Sequence, residues 1–262
     1  MRNVNGVKVK LQAHRGVSTD CPENTMAAFR AAVRQGYDVI ELDPKFTSDL
    51  NCVVLHDRTL SRTARCADGQ KLSEDMEISK IPLSKAMEFD YGLWHGDEFR
   101  GEKLPLLSEA LAFACEHGMP VKIDNVIESF SDEENEILFD IVEKANAQAI
   151  AGFTCTKSEY LKKVVERFPK SMIHYDGYVD EAHLREVFSA VRENPVTVWL
   201  PHRNRLTSWC KMPEATEERA EMVRAFGAQL GVWILEEEAD LLEVCARFAP
   251  DYVETTGSLK ND

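Results

Sequence analysis

The stretch VKLQAHRGVSTDCPENTMAAFRAAVRQGYDVIELD, residues 9 to 43, decides the fold. It opens on a short apolar run, VKLQAH (9 to 14), and closes on another, DVIELD (38 to 43), with a helical pattern at about 23 to 36 between them. A buried strand, an amphipathic helix and a second buried strand make a unit of parallel sheet, because two parallel neighbours need a helix-length crossover to join them.

The same rhythm runs outward to the C-terminus. Further strands are predicted at PVKID (120 to 124), AIAGFT (149 to 154), SMIHYD (171 to 176), VTVWLP (196 to 201), QLGVWIL (229 to 235) and DYVETT (251 to 256), eight in all. Helical patterns lie between them at about 107 to 118, 131 to 146, 157 to 168, 180 to 193, 214 to 226 and 237 to 248, and the eighth helix is truncated or absent. Eight such units in 262 residues predict an α/β chain folded as a (β/α)8 TIM barrel rather than a doubly wound sheet, which would need more chain for that many buried strands. One connection breaks the rhythm. Residues from about 44 to 106 form an insertion after strand two, holding the extended run NCVVLHD and the segment MEFDYGLWHGDEF, and a connection that long is normally functional.

Composition narrows the class. With 44% apolar and 29% charged residues, the chain reads as a single globular domain over residues 1 to 262, with no linker, repeat or low-complexity stretch. No window is apolar enough to cross a bilayer, and MRNVNGVKVK has no signal core, so a cytoplasmic protein without stable membrane association is expected. A net charge of -14 excludes a broad nucleic-acid surface. Seven cysteines (21, 52, 66, 115, 155, 210, 245) without a CxxC pair read as reduced core thiols. Oligomeric state stays open.

In a barrel of this kind the chemistry sits where strands end. His14 closes strand one, and Glu41 and Asp43 close strand two with the spacing that sends both carboxylates to one side. Two carboxylates in one site repel unless a cation lies between them or they share a proton. Asp124 closes strand three on the neighbouring strand, and such oxygen ligands suit Mg2+ or Ca2+ equally. The plainer alternative has Glu41 as an interior carboxylate paired with a lysine and Asp43 as a helix cap. His56 and Asp57 end the run NCVVLHD within reach of the barrel mouth. Two histidines from separate loops suit phosphodiester hydrolysis, one taking a proton from the attacking hydroxyl and the other giving one to the leaving alkoxide. Arg15 offers a forked donor to phosphate.

With these residues in view, the segment AHRGVSTDCPENTMAAFRAAVRQGYDVIELDPKFTSDLNCVVLHDRTLSRT resembles the opening motif of the glycerophosphodiester phosphodiesterase family. It carries the HRG of 14 to 16, the PENT of 22 to 25, the ELD of 41 to 43, the turn at 47 to 49 and the HD of 56 and 57. Several separated blocks in fixed order are far more specific than one triplet. FDYGLWHGDEFRGEKLPLLSEAL resembles the end of the family's insertion, and the likeness weakens beyond about residue 130.

The resemblance implies hydrolysis of a small-molecule glycerophosphodiester to glycerol 3-phosphate and an alcohol. It makes His14 and His56 the acid-base pair, Glu41, Asp43 and Asp124 the ligands of a divalent ion, and Arg15 a phosphate contact. Glu23 and Asn24 would then secure the loop carrying His14, with helix capping as their simpler reading.

The chain departs from the family pattern after strand three, where Asp124-Asn125-Val126 stands in place of Glu-x-Lys. Lys45 and Lys122 are the candidates to restore that positive charge toward phosphate. Trp233 is a candidate wall of the substrate pocket. His174, Trp199 and His202 read as packed or surface residues, and His95, His117 and His183 as surface or helix-end ones. Val126 motivates one alternative, an impaired barrel that binds phosphodiesters or phosphosugars. A lysophospholipid-directed phosphodiesterase is the other.

Overall fold

The computed structural model describes residues 1–125, 127–203 and 214–260. Val126 and Cys210, both singled out in the sequence, lie outside the described residues.

Eight parallel strands close on themselves. They are β2 (Val7–Ala13), β3 (Val39–Leu42), β6 (Val121–Ile123), β7 (Ala151–Cys155), β8 (Ile173–Tyr175), β9 (Val196–Pro201), β10 (Gln229–Trp233) and β11 (Tyr252–Thr255), one for each predicted run. Closure is completed by β11 pairing with β2, in a register that sets Glu254 opposite Gln12, while β2 also pairs with β3. The remaining strand at the N-terminus, β1 (Arg2–Val4), folds back antiparallel on β2.

Among the described residues seven helices cover the barrel: α1 (Met26–Arg34), α3 (Leu107–Glu116), α4 (Asp132–Lys144), α5 (Ser158–Arg167), α6 (Glu181–Ala190), α7 (Glu217–Ala225) and α8 (Glu238–Phe248). Their starts follow local chemistry. Thr25, Ser131, Asp180 and Thr216 each accept a hydrogen bond from a backbone N–H three residues on, satisfying a donor that the helix leaves over. Among the described residues no helix follows β11, as the truncated rhythm predicts.

Two glycines permit close approaches. A Cβ on Gly16, at φ +76°, would lie 2.7 Å from Ala28 Cβ, so the loop after β2 can lie against α1 only with glycine there. A Cβ on Gly231 would lie 2.4 Å from the Trp199 ring, which is how that wholly buried indole fits within the barrel.

Between β3 and β6 the chain makes a hairpin of β4 (Pro44–Phe46) and β5 (Cys52–Val54), then the one-turn helix α2 (Leu83–Ala86). This region has its own small core, with Val53, Leu55, Leu60, Ile78, Phe89 and Leu104 buried together, separate from the barrel core. The hairpin ends just before His56, so a packed base carries that side chain to the C-terminal rim. Cys21, Cys52, Cys155 and Cys245 are buried free thiols, and Cys66 and Cys115 are half-buried ones. No helix among the described residues is long and apolar enough to cross a membrane.

Candidate active site

The loop after β2 makes a tight turn in which Arg15 takes φ +60° and Gly16 φ +76°. That turn aims the Arg15 backbone N–H at Glu41 Oε2, 2.6 Å away, so the first basic loop and the first acid are bound directly to each other. The Arg15 side chain runs back along the rim. Its Nη1 donates to Glu23 at 2.9 Å and its Nε lies 3.5 Å from Asp43 Oδ2, yet that buried Nε has no hydrogen-bond partner.

Asp43 instead accepts a hydrogen bond from Asn24 Nδ2 at 2.7 Å. Of the plainer alternative, Glu41 is an interior carboxylate, but it is held by the Arg15 backbone while Lys122 pairs with Asp124 at 2.6 Å, and among the described residues Asp43 caps no helix. Helix capping likewise fails for Glu23 and Asn24, since Thr25 is the cap of α1. Glu23 binds two arginines and Asn24 binds Asp43, so both fasten the loop that carries His14.

The acids repel one another across a buried space. Burial first, and then the charges of Asp43, Asp124 and Glu254, hold the Glu41 carboxyl well above its ordinary range. Asp124 goes the other way: burial opposes its charge, but Lys122 outweighs burial and keeps it ionised. Lys122 is 1% exposed, 2.6 Å from Asp124, 3.6 Å from Glu254 and 4.6 Å from the centre of the Trp199 ring. Burial works against its ammonium, yet Asp124 and Glu254 hold it charged. It is a counter-ion inside the barrel, one layer below the rim.

Lys45 lies on β4, buried, with its Nζ 3.5 Å from the Pro44 carbonyl. Burial pulls it down to about 8, against the opposing fields of Asp43 and Asp57.

His14 stands at the end of β2 with its Nδ1 buried and without a hydrogen-bond partner. Burial, then the neighbouring Arg15 charge, lowers it to about 3, which favours a neutral imidazole at ordinary pH. His56 is more open, and its Nδ1 bonds Asp57 at 2.7 Å. Asp57 is drawn down to about 2: burial opposes this, but hydrogen bonds from Arg62 and His56 outweigh it. The His56 backbone carbonyl accepts from Asn125 Nδ2 at 2.8 Å, which ties the histidine loop to the end of β6.

Sequence reasoning missed two interior acids and one arginine, and named Asp57 without a role. Glu254 accepts from Gln12 across the closing strand pair, and Asp176 accepts from Trp233 Nε1 at 3.2 Å. Burial, with help from Asp124 and Glu254 and against Lys122, lifts Asp176 to about 7. Asp176 ends the fifth predicted strand, so the strand-end rule that found His14 and Asp43 would have found it too. Asp57 received no role of its own, and Arg62 none at all. His174 and Trp199 are packed residues, as expected, joined by a 3.1 Å hydrogen bond from Trp199 Nε1 to His174 Nδ1.

The donor chemistry suits a hard divalent ion, since Glu41, Asp43 and Asp124 are oxygen donors whose mutual repulsion a cation would relieve. Among the described residues, however, no three His, Cys, Asp or Glu side chains are arranged so that they could hold a metal ion. The fit is electrostatic rather than a ready-made cage.

The sequence profile of the glycerophosphoryl diester phosphodiesterase family matches residues 14–250. The chain belongs to that family. Among curated relatives, glycerophosphodiester phosphodiesterase of Caldanaerobacter subterraneus subsp. tengcongensis is 36% identical over 118 residues, 45% of this chain and 45% of that one. Human glycerophosphodiester phosphodiesterase 1 is 31% identical over 199 residues, 75% of this chain and 50% of its own length. The chain thus spans about half the length of these relatives, or less. In fold it is similar to an Oleispira antarctica phosphodiesterase solved with the product sn-glycerol-3-phosphate, at TM-score 0.76 and 21% identity over 95% of this chain and 93% of that one. It is also similar to the Thermotoga maritima family member, at TM-score 0.66 and 22% identity over 96% of each chain. Both are TIM-barrel relatives, and the blocks quoted from residues 14 to 57 fall at the start of the matched region.

Proposed function

We propose that this chain hydrolyses glycerophosphodiesters to glycerol 3-phosphate and an alcohol, with a divalent ion, Mg2+ or Ca2+, toward which Glu41, Asp43 and Asp124, not preset as a cage, would draw together on binding. The observation that carries the reading is a pair of unsatisfied groups. Arg15 Nε and His14 Nδ1 are both buried without a hydrogen-bond partner, beside a cluster of carboxylates. Leaving a buried polar group unpaired costs about 1–3 kcal/mol, which an anionic ligand at this spot would offset. A phosphate diester is an anion that offers acceptors to Arg15, and its hydrolysis needs a neutral histidine to take the proton of the attacking hydroxyl. The relatives' names and the product in the Oleispira structure point the same way.

In this reading Arg15 and Lys45 hold nonbridging phosphate oxygens and Lys122 keeps Asp124 ionised behind them. Neutral His14 takes the proton of the nucleophile, a water or the neighbouring glycerol hydroxyl. His56, held through Nδ1 by Asp57, presents Nε2 and gives its proton to the leaving alkoxide. When bound, the metal supplies charge that stabilises the negative phosphate as the transition state forms. Trp233, fixed by Asp176, walls the alcohol side. Residues 1 to 262 act as one catalytic domain, with the insertion of about 44 to 106 delivering His56, in the cytoplasm and without stable membrane association.

The test is a screen of the purified chain against glycerophosphocholine, a lysophospholipid and bis(p-nitrophenyl) phosphate, with and without a chelator. Chelator-sensitive turnover of glycerophosphocholine is expected. Binding without turnover of any diester would favour the impaired-barrel alternative, and turnover of the lysophospholipid alone would redirect the substrate.

A further inference from the structure

Arg62 lies outside every motif block assigned a role above, yet each of its guanidinium nitrogens faces a carboxylate. Nε donates to Asp57 Oδ2 at 2.6 Å, and Nη2 reaches Asp57 Oδ1 at 3.1 Å. On the other edge Nη1 and Nη2 donate to the two oxygens of Glu23, each at 2.7 Å. Glu23 in turn holds Arg15, and Asp57 holds His56. The result is an unbroken chain of alternating charge, Arg15, Glu23, Arg62, Asp57, His56, running across the rim between two loops that share no other stretch of sequence.

The base of the arginine is rigid. Leu60 is wholly buried in the core of the insertion, its N–H bonds the Met76 carbonyl at 2.9 Å, and the Thr63 and Ala64 N–H groups fold back on the Leu60 carbonyl at 3.1 and 2.8 Å. The side chain of Arg62 is 43% exposed, against 11% for Glu23 and 27% for Asp57, so it covers the pair from the solvent side. It does not reach for phosphate, because both edges of its fork are occupied.

The geometry points to Arg62 as a positioning residue for the proposed reaction, a strut that sets the separation of the Arg15 loop from the His56 loop. The inference rests on the proposed acid-base roles of those loops. The planar fork makes a two-point contact with each acid, a geometry that the single ammonium of a lysine does not reproduce. Exposed ion pairs add little to stability, so the effect of the strut is expected in rate rather than in melting temperature. Misplacing a reacting group by about 1 Å costs on the order of 100-fold in rate.

The experiment compares wild type with Arg62→Gln, Arg62→Lys and Arg62→Ala by steady-state kinetics on whichever diester the wild type hydrolyses, by melting temperature, and by long-range 15N–1H NMR of the His56 ring. Expected in Arg62→Gln are a kcat lower by about 100-fold, KM within about threefold and an almost unchanged melting temperature. Arg62→Lys should recover part of the rate, millimolar guanidinium should recover part in Arg62→Ala, and the NMR should show a changed balance of Nδ1–H and Nε2–H forms of the His56 ring. Wild-type kcat in Arg62→Gln, or an unaltered His56 tautomer, overturns the strut. If the wild type turns over no diester, the proposed function falls instead, and the His56 signal alone decides the role of Arg62.

Discussion

The backbone N–H of Arg15 donates to the carboxylate of Glu41 at 2.6 Å, locking the turn after β2 to the end of β3. The same carboxyl is buried among Asp43, Asp124 and Glu254, which raise it well above its ordinary range once burial has begun to do so. Glu41→Gln keeps an acceptor for Arg15 and removes a repelled charge. Its expected effect is a fall in kcat/KM of about 100-fold or more with no loss of melting temperature. Undiminished turnover in this variant would remove Glu41 from the reaction.

Metal removal should have two readouts. Chelation is expected to abolish diesterase activity, and re-addition of Mg2+ or Ca2+ to restore it. The ion should also raise stability, by about 2.7 kcal/mol at a hundredfold excess over its Kd, because it binds only the folded arrangement of acids. A melting temperature indifferent to both ions would argue that Glu41, Asp43 and Asp124 never share one.

The two histidines should separate by leaving group. His56→Ala is expected to lose orders of magnitude on glycerophosphocholine but far less on a p-nitrophenyl diester, whose leaving group departs without a proton. His14→Ala should lose activity on both. Reversed behaviour would exchange the acid and base roles.

Acid should unfold the barrel through its buried imidazoles. Burial, then Lys122, lowers His174 from 6.5 to about 3. Between those values the unfolded chain binds a proton that the folded chain does not. The stabilising contribution is therefore complete above about pH 6.5 and is lost as pH falls toward 3. His14 carries the same sign, and Asp176, lifted to about 7, carries the opposite one. Urea unfolding of His174→Gln, which keeps an acceptor for Trp199, should show a pH slope shallower than wild type by about 1.4 kcal/mol per unit within that window. Equal slopes would mean that His174 protonates in the folded barrel.

Much of the site was legible because its signals are local. His14, Glu41, Asp43 and Asp124 each follow an apolar run, and the i, i+2 spacing fixes which side of the strand they share. Asp176, which also ends an apolar run, obeys the same rule. The departure at Val126 was visible, but the surroundings of Lys122 were not. It is drawn toward Asp124 and Glu254, the second of which lies at the far end of the chain.

By itself, then, the order of residues settled the number of strands, their alternation with helices and the strand ends that carry polar groups, since each follows from the periodicity of a few neighbouring positions. Only the closed barrel decided that Glu254 meets Gln12, that Lys122 serves as an interior counter-ion and that Arg62 joins Glu23 to Asp57. These pairings join positions far apart along the chain, or distribute one fork between two acids. They exist because sheet closure and the packing of the insertion fix distances that no local pattern encodes.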